Sequence, residues 1–304
     1  MTAGGRLAIF DVDTGIDDAM ALGLATRSPE LTMLAVSTLA GNVGVDRTTA
    51  NTLNVLDYLG ANDVPVHRGA SHALTRPHHD AAHHHGETGL GVAILPESRR
   101  SAAAERGPAA IIREATARPG ALTLVCTGPL TNLAIALNVA PELPALLRRV
   151  VVMGGAFTVE GNVTPYAEYN IFADPEAARQ VFDTLFPELI VVGLDVTRQV
   201  ALSRARWERA DRDAAAGTPA RLVAEVCREA FDRGDAEMYL HDPLAAAVAF
   251  DPSLVRCELR SIDVDCGEAE RGRTRLVGAG TVRVALEVDA ARFLALFDGR
   301  LGLR

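Results

Sequence analysis

Lysine is absent from this sequence: every one of the 30 basic Lys or Arg positions is an arginine. That absence excludes a lysine Schiff base, a pyridoxal phosphate lysine and a Walker A phosphate loop, each of which needs an ammonium group. Cysteine is scarce, 4 residues in all, and Cys126, Cys227, Cys257 and Cys266 form no C-x-x-C pair. Neither a zinc ribbon nor a dithiol motif is present, and the four read as reduced thiols of a cytosolic protein. Positive charge is also short, because 39 acidic side chains leave a formal net charge of -9. A chain of that sign is a poor non-specific ligand for nucleic acid, so a nucleotide-like substrate is expected to be small. No apolar stretch approaches the roughly 20 residues of a membrane span. Residues 7–10 already form a strand-like run, too close to Met1 for a cleavable leader. The expectation is a soluble, cytoplasmic protein with no membrane partner.

Apolar residues make up 48% of the chain and charged residues 23%, enough for a sizeable core. At roughly 100–200 residues per domain, the length permits two domains or one large one. Strand-like runs at 7–10, 31–38, 122–126, 150–153 and 189–194 alternate with helical stretches at 17–27, 47–59, 108–117 and 175–186. Further helices are expected at 204–215, 219–231 and 244–250, then a strand at 281–288 and a helix at 289–297. This rhythm predicts an α/β fold: a Rossmann-like, mostly parallel central sheet flanked by helices on both faces. There is no linker, repeat or low-complexity tract apart from a histidine-rich segment at 78–85, so the chain, 1–304, reads as a single domain.

Ligands of open α/β sheets bind beyond the carboxyl ends of the strands, so the residues following each strand matter most. After the first comes Asp11-Val12-Asp13-Thr14-Gly15-Ile16-Asp17-Asp18, four carboxylates within a turn and a helix start. Helix capping alone explains one or two of them. Four crowded carboxylates repel each other and raise one another's pKa unless a cation neutralises them, which favours a metal. Later strand ends add Gly41-Asn42-Val43, Thr127-Gly128, Gly154-Gly155, Gly161-Asn162 and Glu168-Tyr169-Asn170, and His241-Asp242-Pro243 opens another helix. A candidate ligand set of Asp13, Asp18, Asp242 and the Thr127 carbonyl is all oxygen. Such a set favours Ca²⁺ over Mg²⁺ and argues against zinc or copper. The histidines at 78, 79, 83, 84 and 85 are spaced too irregularly for a nitrogen-ligated metal and suit a mobile lid better.

The run Asp11 to Ala19 resembles the signature of the inosine–uridine-preferring nucleoside hydrolases. The resemblance continues through Gly41-Asn42-Val43, His85-Gly86, residues 126–132, 152–156, Glu168 to Asn170 and His241 to Ala245. It implies the nucleoside hydrolase fold and a Ca²⁺-dependent hydrolase of the N-glycosidic bond of ribonucleosides, working as a homodimer or homotetramer. On that resemblance Asp13, Asp18, Asp242 and the Thr127 carbonyl hold Ca²⁺, and Asp13 is the general base for a water on the ion. Asp17, Asn42 and Asn170 match positions at the ribose diol, Asn162 and Glu168 those at the 5′-hydroxyl, and Met153 lies against the sugar. Asp242 contacts substrate as well as metal, His241 assists the departing base, and His85 belongs to a closing flap. Thr14 stands where the family commonly has proline, and no tyrosine pair is evident before His241, where Phe231 and Tyr239 are the nearby aromatics.

Two other readings use the same residues. Asp11 and Asp13 superficially resemble the D-x-D opening of haloacid dehalogenase-type phosphatases, but Gly15 occupies the expected Thr or Val position and the usual lysine is missing. A nucleoside- or sugar-binding protein without turnover needs neither a base at Asp13 nor a proton donor at His241.

Overall fold

The computed structural model describes residues 5–303, apart from the side chain of His83; Met1 and the His83 imidazole lie outside the described residues. Its strands are β1 (Arg6–Val12), β2 (Leu31–Thr38), β3 (Val66–Arg68), β4 (Leu122–Cys126), β5 (Leu147–Met153), β6 (Leu189–Val192), β7 (Ala201–Ser203), β8 (Glu237–Tyr239), β9 (Val255–Arg260), β10 (Ile262–Val264), β11 (Thr274–Leu276) and β12 (Val282–Val288). Eight of them form one sheet in the order β3-β2-β1-β4-β5-β6-β12-β9. Pairing is parallel from β3 to β12, and β9 runs antiparallel along β12.

The strands are apolar on both faces because both faces are covered. Ala8, Phe10 and Val12 of β1 join one apolar cluster while Ile9 joins the other, and Val125 and Val151 likewise oppose Leu124, Val150 and Val152. The first cluster is closed by the helices Ile16–Thr26, Val45–Tyr58, Pro219–Val226, His241–Phe250 and Ala290–Leu301. The second is closed by Gly107–Ala117, Thr131–Val139 and Pro175–Phe182. The helix Ile16–Thr26 is buried nearly all round and packs against His241–Phe250. The latter presents Ala245, Ala246 and Ala249 without exposure, and such small side chains let the two helices approach closely.

From β1 the chain builds outward through β2 and β3, then returns to add β4, β5 and β6 on the other side. The carboxyl ends of β1 and β4 therefore flank the point where the winding reverses, the usual location of a ligand crevice. Two small ribbons, β7–β8 and β10–β11, complete the rim.

Several expected boundaries shift. The first strand runs to Val12 rather than residue 10, because Asp11 is paired on both sides, with Ser37 and Cys126, and its carboxylate accepts from Asn132 inside the fold. The helix expected to reach 186 stops at Phe182, as Pro187 disfavours helical backbone just before it. The stretch 219–231 divides at Cys227 into Pro219–Val226 and Arg228–Arg233. The strand expected to reach 194 ends at Val192, and Leu194 opens the short helix Leu194–Thr197.

Candidate active site

Asp13 follows β1 directly and is 1% exposed. Its Oδ2 accepts from the Asn42 backbone N–H at 2.7 Å, whereas its buried Oδ1 has no hydrogen-bond partner. Two glycines make room for this carboxylate. A Cβ on Gly41 would lie 2.0 Å from Oδ2, and one on Gly128 would lie 2.7 Å from Oδ1. Asp18, in the first turn of Ile16–Thr26, accepts from Gly15 N–H (2.9 Å), Asn42 Nδ2 (3.2 Å) and the Thr127 hydroxyl (2.7 Å). It thus caps the helix and also joins the acidic cluster, so the two readings of this motif hold together at Asp18. Thr127 N–H donates to Asp11 O at 2.9 Å, which holds Thr127 at the end of β4, where it lines the cavity.

Above this floor lies a cavity of about 330 Å³, within the roughly 300–1,000 Å³ usual for small-molecule sites. Its wall takes Asp17, Asn42, His85, Thr127, Met153, Asn162, Glu168, Asn170, His241 and Asp242. Of the residues that the resemblance assigns to metal, substrate or catalysis, Asp13 and Asp18 do not reach the wall and sit deeper, buried. Glu168 caps the short helix Tyr169–Ala173, accepting from Asn170 N–H, Ile171 N–H and, across the loop, Gly155 N–H. Asn170 Nδ2 donates to the Thr127 carbonyl (2.7 Å) and to Met153 O (3.2 Å), tying the ends of β4 and β5 together. Asn162 Oδ1 accepts from Tyr169 N–H at 2.9 Å. His241 and Asp242 open the helix His241–Phe250, and His241 Nδ1 is 2.7 Å from the Thr197 hydroxyl.

The histidine-rich segment leans over one side. His78 Nε2 donates to Gly41 O at 2.8 Å, Ala81 N–H donates to Asn42 O, and His85 Nδ1 accepts from Ile16 N–H at 3.2 Å. It therefore docks onto the strand-end loops. Among the described residues, the group able to hold a metal ion is Asp17, Asp18 and Asp242, with oxygens all within 4.8 Å of one another. That trio includes Asp17, which the resemblance gives to ribose, and leaves out Asp13.

Burial and mutual repulsion act together on these acids. Burial first, then Asp18, holds Asp13 well above the usual carboxylate range; burial, then Asp17 and Asp18, does the same to Asp242. Burial pushes Asp17 and Asp18 up to about 6, and Glu168 to about 7. Asp17 and Asp242 stand close together, with oxygens within 4.8 Å, so Asp17 raises Asp242 while contact with Asp242 draws Asp17 part of the way back down. Burial, with Arg198 and His85 nearby, lowers His241 to about 4, so its imidazole is neutral near pH 7. An unpartnered buried oxygen among carboxylates reluctant to ionise is what a bound cation would repair.

Other residues of the site carried no signal that the sequence reading used. The Tyr169 hydroxyl lies 2.6 Å from Gly41 O and 2.7 Å from His79 O, joining the cavity wall to the histidine-rich segment. Arg198 lines the cavity and donates to Glu160 O and Gly161 O, holding the loop that carries Asn162. Thr197 and Arg198 follow β6, so the strand-end rule pointed at them as it did at Thr127. Tyr239 lines the cavity beside the His241 ring, 5.8 Å between centroids, whereas Phe231 stacks on Trp207 in the core. Asp11, the nucleophile of a phosphatase reading, lies within β1, paired on both sides, and its Oδ1 accepts from Asn132 on the side of the fold away from the cavity wall.

The model of the family described as inosine-uridine preferring nucleoside hydrolase matches residues 8–295. The chain is 35% identical over 316 residues to the probable uridine nucleosidase 2 of Arabidopsis thaliana, covering 96% of each. It is 39% identical over 310 residues to the pyrimidine-specific ribonucleoside hydrolase RihA of Citrobacter koseri, covering 96% of this chain and 97% of that one. Among solved structures it resembles the purine-preferring ribonucleoside hydrolase from Gardnerella vaginalis, with a TM-score of 0.91, 36% identity and 98% of each chain covered. Sheet order, acidic strand-end crevice and full-length similarity agree, and this chain belongs to the inosine-uridine preferring nucleoside hydrolase family and is a ribonucleoside hydrolase.

Proposed function

We propose that the chain, acting as one domain, hydrolyses the N-glycosidic bond of ribonucleosides with Ca²⁺ held by Asp13, Asp18, Asp242 and the Thr127 carbonyl. The buried Asp13 Oδ1 without a partner carries this reading, because an orphaned acceptor among raised acids fits a hard cation. The Thr127 carbonyl accepts one hydrogen bond, from Asn170, and keeps a second lone pair for a ligand. Bound there, Ca²⁺ would offset the carboxylate charge and acidify a water.

The residues themselves do the rest. Asp13 takes a proton from the water that attacks the anomeric carbon. The C1′–N bond breaks with its electron pair on the base, and a C1′–O bond forms in its place. One water hydrogen stays on the sugar oxygen and the other ends on the base. Asp17, Asn42 and Asn170 orient the ribose diol, Asn162 and Glu168 the 5′-hydroxyl, and Met153 packs on the sugar. The carboxylates favour the oxocarbenium character that develops as the base leaves. His241 is neutral, so it offers the base a neutral N–H whose hydrogen bond strengthens as charge accumulates there. The relatives are named for uridine, pyrimidine and purine nucleosides, so the proposed substrate class is the ribonucleoside rather than one base.

The test is Asp13→Ala. A positioned base contributes roughly 10²–10⁴-fold, so ribose release from inosine or uridine should fall by at least ~10²-fold while circular dichroism stays unchanged. Undiminished turnover would overturn the mechanism.

A further inference from the structure

The ring of His241 can present either of two nitrogens to the cavity, and which of them carries hydrogen decides whether it helps a leaving base. We propose that Thr197 is a positioning residue: its hydroxyl donates to His241 Nδ1 and fixes the imidazole as the Nε2–H tautomer, with that N–H turned to the nucleobase. This rests on the reading of His241 as the group that assists the leaving base.

The contact is built by the ribbon. Thr197 ends the helix Leu194–Thr197, after which the chain enters β7; β8 in turn leads straight into His241. β7 and β8 pair antiparallel with Ala201 opposite Tyr239, and Leu240 N–H donates to Val200 O at 3.0 Å. This register brings Thr197 and His241 side by side although they are 44 positions apart in sequence, and the Oγ1–Nδ1 distance is 2.7 Å.

The direction of the bond follows from counting donors. Thr197 is 0% exposed, so no solvent reaches its hydroxyl. Its backbone groups are engaged, N–H to Gly193 O and C=O from Val200 N–H. Among the described residues, the hydroxyl's hydrogen-bond partner is His241 Nδ1. Were the ring to donate through Nδ1–H, the threonine hydrogen would be left buried with no acceptor, the costly outcome for a polar group. With the threonine donating, both groups are satisfied and the ring's hydrogen sits on Nε2. His241 also lines the cavity, so the nitrogen not held by Thr197 is the one available to a ligand. An Nδ1–H ring would turn a bare lone pair toward a base that is gaining negative charge. The orienting partner of a catalytic histidine acts in this way, by choosing tautomer and angle.

The test measures the calcium-supplemented enzyme and its Thr197→Val, Thr197→Ser and His241→Ala variants on inosine, uridine and p-nitrophenyl riboside, whose leaving group needs little assistance. Thr197→Val should lower kcat for the two nucleosides about 10- to 100-fold, with KM nearly unchanged and p-nitrophenyl riboside turnover within about twofold. Thr197→Ser should restore most of the loss. Unchanged nucleoside kcat in Thr197→Val, equal losses on all three substrates, or no rescue by serine would each overturn the proposal. His241→Ala separates the two levels: a loss confined to nucleosides there, beside a silent Thr197→Val, defeats the role of Thr197 alone. Equal effects of His241→Ala on all three substrates defeat the reading of His241 beneath it. A ¹⁵N spectrum of histidine-labelled wild-type enzyme reads the tautomer without any folding risk. An unprotonated Nδ1 on His241 is expected, and a protonated one overturns the assignment.

Discussion

Replacing Asn132 by leucine should be among the most damaging single changes that leave the cavity wall untouched. Asn132 lies in the first turn of Thr131–Val139, fully buried, beneath the point where the sheet reverses. Its Nδ2 donates to Asp11 Oδ1 (2.8 Å), Ser37 Oγ (3.0 Å) and Thr38 O (3.1 Å), and its Oδ1 accepts from Ala70 N–H (2.9 Å). Leucine has nearly the same shape, so the cavity cost is small and the loss is polar. Thr38 O keeps Gly69 N–H at 2.8 Å, but Ala70 N–H is left without its acceptor. Asp11 then has neither oxygen served by Asn132, and its Oδ2 is already unpartnered. Two groups, the buried Asp11 carboxylate and the part-buried Ala70 N–H, lose a partner at about 1–3 kcal/mol each, a loss of about 2–6 kcal/mol at most. Against a total stability of about 5–15 kcal/mol the variant folds but weakly. With a urea m-value of about 3 kcal/mol/M, the midpoint should fall by roughly 0.7–2 M at unchanged m. Asn132→Asp is the companion: it keeps an acceptor for Ala70 but sets a second carboxyl against Asp11, so its deficit should be larger at pH 8 than at pH 5. An unchanged midpoint for Asn132→Leu would refute the reasoning.

Two more expectations concern the acidic floor. In chelated protein the folded state keeps protons on Asp17 and Asp18 up to about 6, whereas unfolded carboxyls release them near 3.8, so stability should fall as pH rises between those values. Ca²⁺ competes with those protons, so its stabilisation should be larger at pH 7.5 than at pH 5; equal melting-temperature gains at the two pH values would count against the ligand assignment. Gly41→Ala would place its Cβ 2.0 Å from Asp13 Oδ2, forcing that carboxylate aside. Calcium affinity and turnover should drop together with the far-ultraviolet spectrum intact, and a variant retaining both would show that Asp13 has room to spare.

Much of this arrangement was legible in the sequence, for a physical reason. A doubly covered parallel sheet needs near-continuous apolar strands, and its ligands sit where those strands stop, so Asp13 and Thr127 could be found by reading the residue after each run, and Asn42 and Asn170 by following the connections that leave β2 and β5. The helix His241–Phe250 was equally visible through its apolar stretch and initial Asp-Pro. What stayed hidden lacks periodicity. β3, β7, β8, β10 and β11 each have three residues, too few to show an alternation. The ribbon β7–β8 that joins Thr197 to His241 was invisible for that reason, and with it the partner of the imidazole. Asp11 illustrates a different limit: its carboxylate looked like one more member of the acidic loop, but two-sided pairing draws it into the strand and Asn132 holds it there. The absence of lysine also changes meaning in the fold. Arg76 alone bridges Glu176, Glu268 and the Cys266 carbonyl, a forked contact that a single ammonium cannot reproduce.

The acidic floor is assembled from the first turns of two helices, Ile16–Thr26 and His241–Phe250, that pack directly together but come from opposite ends of the sequence. Synthesis therefore delivers one half of the site long before the other. At about 5–20 residues per second, the earlier helix waits on the order of ten seconds or more for its covering partner. During that interval a helix apolar nearly all round has only its early neighbours, β2 and Val45–Tyr58, to bury against, and Asp17 and Asp18 have no Asp242 beside them. The growing chain is thus held short of its full core and of the complete acidic cluster until the later helix is made. The length of that interval is fixed by the order in which the ribosome releases these two helices.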